Sequence, residues 1–178
     1  MTGFMNLARL RRSVRSYLPD PVPHELIDQC IEAVRYAPSA CDRQAWRFIV
    51  VEGELKDRIV GECLGAMPVP NRWAAQAPVI VALCIDRDFI TYRLGAGMQG
   101  IGYALIDAGI AGQHFVLQAA EIGLGTCWIG WFRKRRLKRL LGIPRGWETA
   151  ALITLGFPAA GAPERVRRPL AEIREYRS

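Results

Sequence analysis

Three arginines set around one serine, Arg11, Arg12, Ser13 and Arg15, form the segment of this chain best suited to hold an anion. Guanidinium groups grip phosphate oxygens in bidentate pairs, and a hydroxyl adds a neutral donor. Taken alone, these residues fit a phosphate site and a solvated basic patch equally well. A second tight cluster, Arg165, Arg167 and Arg168, lies near the other end of the chain. A third run, Arg133 to Arg139, holds six basic residues against a net charge of +7. Its cations fall in the first turn of an expected helix, where they oppose the helix dipole. Two readings of it stand: a solvated helix face, and an anion-steering patch in which Arg133 to Arg136 raise the local concentration of anions. Aromatic residues do not interleave with these arginines, so stacking on single-stranded nucleic acid is not expected.

Other reactive side chains carry weaker signals. The five cysteines, at 30, 41, 63, 84 and 127, are odd in number and lack metal-binding spacing, so reduced thiols and no metal are expected. Cys30 and Cys84 sit at apolar-face positions, and Cys127, with no histidine near it in sequence, reads as a packing residue. His24 reads as exposed and silent, and His114, alone among apolar residues, as a core or interface residue. Gly95, Gly97 and Gly100 make a literal GxGxxG, but no strand feeds it in the way a dinucleotide fold requires.

These groups need a scaffold, and the stretch from Asp107 to Phe132 supplies its centre. It reads as a helix capped by Asp107, apolar on nearly every face, and ended by Gly123 and Gly125. Its exit, GLGTCWIGWF, reads as a sharp turn that presents backbone N–H groups and flat rings to a ligand. Upstream, Met5 to Leu10 fits a short helix. Leu26, Ile27, Cys30, Ile31, Val34 and Ala37 repeat at helical spacing. Pro38 begins a loop before the strand WRFIVV. A further amphipathic helix, ELKDRIVGECLGAM, precedes the strand PVIVALCID, and a basic helix with Leu137, Leu140 and Leu141 on one face stops at Gly142 before the strand WETAALITLGFP. At 178 residues and 51% hydrophobic, the chain suits a single domain spanning 1–178. Neither a signal peptide nor a membrane span is expected, which favours the cytoplasm.

Four segments, RRSVRSY, APSACDRQAW, the stretch Asp107 to Gly130, and LGFP at Leu155 to Pro158, together resemble the FMN-dependent nitroreductase family, in the family's order and over nearly the whole chain. The resemblance implies an α+β fold: a mixed central sheet flanked by helices, with a central buried helix and a C-terminal tail that embraces a partner subunit. It implies a homodimer with FMN at each interface. Arg11, Arg12, Ser13 and Arg15 would grip the flavin phosphate and ring edge, with Arg165 and Arg167 as a second clamp. Pro38, Ser39 and Gln44 would line the ring, and Cys127, Trp128, Ile129 and Gly130 would bound it, the N–H groups of Ile129 and Gly130 facing N5 and O4. No side chain would be catalytic, because the flavin carries the hydride. Asp42 departs from the family's usual asparagine, and an ionised aspartate accepts but cannot donate. Cys127 and Ile129 replace a proline and a glutamate found in some relatives. Phe89, Tyr92 and Tyr103 would shape the substrate channel, or pack ordinarily. The activity implied is ping-pong reduction of a small electron-poor acceptor, a nitroaromatic or quinone, by NAD(P)H. A flavin-storing protein and a basic RNA-associated module are the alternatives.

Overall fold

The computed structural model describes residues 3–65, 71–87, 102–160 and 165–177. Phe89, Tyr92 and the GxGxxG glycines lie outside them. Among the described residues, four strands form one sheet: β1 (Trp46–Val51), β2 (Val79–Asp86), β3 (Gly125–Ile129) and β4 (Trp147–Gly156), in the order β1-β2-β4-β3. All three strand pairs are antiparallel, and the parallel element is a bridge from Ser13 to Thr126 on β3.

β2 explains the longest apolar run. Val79 and Val81 point into one core, while Ile80, Ala82 and Cys84 point into a second on the opposite face. A strand covered on both faces has no reason to alternate with polar residues. β4 divides likewise, with Ile153 and Leu155 on the first side and Leu152 on the second.

Helices cover the two faces. On the first lie α2 (His24–Arg35), with Ile27, Cys30 and Val34 buried, and the long α4 (Tyr103–Glu121). Phe115 of α4 stacks on Phe48 of β1 with ring centroids 5.4 Å apart. On the second lie α3 (Gly53–Ile59), the π-helical turn Val60–Leu64 that continues it, and α5 (Lys134–Leu140), whose Leu137 is fully buried. A short α1 (Phe4–Leu10) has no buried residue.

The structure corrects the reading of the central stretch in three ways. First, α4 begins at Tyr103, so Gly102 is its N-cap and Asp107 lies inside the helix, only 2% exposed. Second, α4 is not covered on every face: Leu105 is 62% and Ile106 48% exposed, because the sheet and α2 cover only one side. Third, the exit is not an open turn. Gly123, at φ +82°, reverses the chain after the helix, and Gly125 opens a strand that completes its hydrogen bonds against β4.

Candidate functional site

After α1 the chain runs extended along the edge of β3. Val14 donates its N–H to the Thr126 carbonyl at 2.9 Å, Leu18 donates to Phe157 at 2.9 Å, and Ala159 donates to Ser16 at 3.0 Å. This sets the arginine-serine segment beside Thr126 and Cys127. Tyr17 anchors it: the hydroxyl is 2.7 Å from both the Val14 carbonyl and Thr154 Oγ1, and Thr154 Oγ1 is 3.3 Å from the Cys127 carbonyl. Two hydroxyl protons serve three contacts. The two short ones are met when Tyr17 donates to Val14 and Thr154 donates to Tyr17. Burial pushes the Tyr17 phenol well above its ordinary pKa, so it remains a neutral hydrogen-bonding post.

The arginines gather at this edge. Arg9, Arg12, Arg165 and Arg167, with Ala8, line a hollow of about 270 Å³. Arg11 lines an adjoining hollow of about 340 Å³ with Leu10, Arg12, Val14, Gly125 and Thr126 among others. Burial, then the neighbouring charges of Arg167 and Arg12, lowers the pKa of Arg11. Burial, then Arg11, Arg167 and Arg12, lowers that of Arg165. Arg165 also buries Nε and Nη2 with no hydrogen-bond partner among the described residues. Clustered like charges with orphaned donors are unfavourable unless an anion joins them. Arg15 is placed differently. Its guanidinium lies 5.8 Å from the Trp73 ring centroid, while Arg12 lines the hollow with Arg165 and Arg167.

Cys127 is buried. Burial raises the pKa of its thiol, with the charge of Arg15 and a hydrogen bond from Ser13 opposing, so the neutral packing role holds.

Pro38, Ser39 and Gln44 occupy a loop around the first turns of α4. Gln44 donates its N–H to Ser39 Oγ at 2.9 Å, and its Nε2 to Asp42 Oδ1 at 2.9 Å. Asp42 therefore works as an acceptor within its own loop. Cys41, Asp42 and Gln44 all hold positive φ, at 54°, 49° and 48°. Three such non-glycine residues persist only where the surroundings over-determine them. One determinant is Asp107, whose carboxylate accepts the Ala40 N–H at 3.1 and 3.2 Å. Asp107 is a site residue that the sequence reading missed, having made it a cap. The available signal was a carboxylate inside an apolar run, which needs buried donors once it leaves water.

Trp128 ties the loop to β3. Its ring packs in one apolar cluster with Ala40, Ala45, Tyr103 and Ala108. The ring fits because position 112 of α4 has no side chain: a Cβ there would stand 2.2 Å from Trp128 Cη2. Ile129 is buried in the opposite core, while Gly130 is exposed at the end of the strand. No hydrogen bond or ion pair joins Pro38, Ser39 and Gln44 to the arginines among the described residues. Both groups border β3, the arginines at its first residues and the Trp128 contact near its last. The guanidinium cluster with its orphaned donors fits a phosphate monoester, and the bare backbone at Gly130 fits a flat ring held by main-chain donors.

Among the described residues, no helix is long and apolar enough to cross a membrane. The family model for the nitroreductase family matches residues 8–157. A Bacillus subtilis protein named FMN reductase (NAD(P)H) is 32% identical over 170 residues, covering 89% of this chain and 67% of that one. A Thermus thermophilus protein named NADH dehydrogenase is 29% identical over 189 residues, covering 92% and 90%. The crystal structure of a nitroreductase family protein from Clostridium difficile 630 superposes with a TM-score of 0.85 at 26% identity, covering 99% of each chain. A sequence match over most of the chain and a shared fold agree with the arginine-lined edge of β3: this chain belongs to the nitroreductase family.

Proposed function

We propose that this protein is a cytoplasmic, homodimeric FMN-dependent oxidoreductase that uses NAD(P)H to reduce a small electron-poor acceptor, a nitroaromatic or a quinone, in ping-pong order. The observation that carries the reading is Arg165, with two buried donor nitrogens that lack partners among the described residues, inside a group formed with Arg11, Arg12 and Arg167. FMN, when bound, supplies the chemistry by taking a hydride from the nicotinamide and passing it to the acceptor.

The chain's own part is binding and orientation. Arg11, Arg12, Arg165 and Arg167 hold the phosphate, with Ser13 beside them, while Arg15 sits nearer Trp73 and Cys127. The N–H groups of Ile129 and Gly130 are the main-chain donors for the ring edge, at the end of a strand fixed by β4. Pro38, Ser39 and Gln44 supply the second wall. The bare face of α4 and the exposed tail residues Val166, Leu170, Ile173 and Tyr176 provide the apolar surface with which a second copy would close the site.

The test is the absorbance spectrum of the purified protein before and after anaerobic NAD(P)H. A flavin spectrum bleached by the nucleotide and restored by a quinone supports the reading. A bound flavin that stays oxidised would make this a storage protein.

A further inference from the structure

α5 and the segments beside it form a basic ledge, only part of which the fold uses. Two hollows flank the helix, and Lys134 and Arg135 line both. One, of about 460 Å³, is bounded by Arg87, Lys138, Arg145 and Trp147; the other, of about 800 Å³, by Phe132, Arg133, Arg136 and Arg139. Among the described residues, eight basic ones thus face two acids, Glu62 and Glu148.

Several of the eight are committed to the fold. Glu148 pairs with Arg87 and, at 2.9 Å, with Lys134, which ties α5 to β4. Arg136 pairs with Glu62. Lys138 donates to the carbonyls of Arg145 at 2.9 Å and Trp147 at 2.8 Å. Arg133, Arg135, Arg139 and Arg145 remain, and their side chains make no ion pair or hydrogen bond among the described residues. Arg135 and Arg139 are four apart and share one face of α5.

The ledge is covalently close to the proposed ring site. Arg133 follows Gly130 by three residues, a span of at most about 10 Å of extended chain, and the Trp131 between them is 56% exposed. A reductant laid against the end of β3 can reach the ledge with its far end. NADH and NADPH differ there by one phosphate monoester, which carries about −1.5 to −2 charge near neutral pH.

We infer that the α5 ledge, through Arg135 and Arg139, is a phosphate subsite that selects NADPH over NADH. This rests on the oxidoreductase reading of the β3 site. Two measurements separate the fate of the two ideas. The first is calorimetry at low salt with adenosine 2′,5′-bisphosphate and 5′-AMP, which needs no turnover. The bisphosphate is expected to bind at least about tenfold more tightly than AMP, and Arg135→Ala with Arg139→Ala should abolish the difference. The second is kcat/KM for both nucleotides in the flavin-loaded protein. The double variant should lower the NADPH to NADH ratio about tenfold, and raising ionic strength should do the same to the parent, since exposed charges are screened beyond about 10 Å at 0.1 M salt. Preference for the bisphosphate in a protein that oxidises neither nucleotide would support the subsite and defeat the oxidoreductase reading. Equal binding of AMP and bisphosphate, a preference that survives the double variant, or single-stranded RNA that binds the ledge and is not displaced by the bisphosphate, would overturn the inference.

Discussion

Asp107 of α4 accepts the backbone N–H of Ala40, 67 positions earlier in the chain, with its two carboxylate oxygens at 3.1 and 3.2 Å. A buried carboxyl group inside the helix thereby fixes a loop whose next residues hold left-handed backbone conformations. Asp107→Ala leaves the Ala40 donor unsatisfied and is expected to cost about 1–3 kcal/mol. Asp107→Asn keeps an acceptor and should cost less. Urea unfolding of both variants checks the order. Equal and small losses would mean that the loop does not depend on this contact.

Gly112 and Trp128 are a second such pair. Gly112→Ala sets a methyl group into the indole and should destabilise by about 1–3 kcal/mol, the usual range for overpacking. Gly109→Ala, where a Cβ meets nothing within 4 Å in this chain, should be close to neutral for a single subunit. Pairing Gly112→Ala with Trp128→Leu should recover part of the loss in a double-mutant cycle. Gly112 thus serves packing within the chain, while Gly109 faces outward.

Much of this architecture was readable from the residues. The apolar run around β2 and the 3-4 spacing of Ile27, Cys30 and Val34 announce their elements because burial on two faces or one leaves a periodic trace. The start of α4 was not, since Tyr103 to Ile106 carry no charged or capping residue to mark a first turn; β3 exists because β4 offers it a hydrogen-bonding edge. The two arginine clusters were legible as sequence, but clustering alone left a phosphate site and a solvated patch even. Which of Arg11, Arg12 and Arg15 lies beside Arg165 and Arg167 was not legible, because it depends on where the Trp73 ring sits.

Thiol reactivity should follow burial. Cys41 is exposed, while Cys30, Cys63, Cys84 and Cys127 are buried, each with a thiol pKa raised chiefly by that burial and reaching about 12 for Cys30. One thiol should therefore react promptly with a disulfide reagent at pH 8, and four should wait for unfolding. Two prompt thiols, the second being Cys127, would point to a reactive cysteine beside the proposed flavin.

Glu148 is held below the ordinary glutamate pKa by hydrogen bonds from Lys134 and then Arg87. A folded-state pKa below the unfolded one contributes stability that is present above the unfolded value and lost as pH falls through the folded one. Glu148→Gln should therefore lower the unfolding midpoint at pH 7, with the difference from the parent shrinking as pH drops below about 4.3, the unperturbed glutamate value. Screening of these partly exposed charges keeps the effect small. A difference constant from pH 7 to 3 would exclude the ion pairs as its source.

The account rests on the arginines beside β3 reading a phosphate, and titration of FMN and riboflavin into flavin-free protein tests that most directly. Each charge-assisted contact is worth about 1.5–3 kcal/mol, so Arg165→Ala or Arg167→Ala should weaken FMN at least about tenfold, by the conversion of about 1.4 kcal/mol per decade. Riboflavin, which has no phosphate, should bind the parent and both variants about equally. Loss of riboflavin as severe as loss of FMN would contradict the account, because the arginines would then be supporting the fold instead of holding the phosphate.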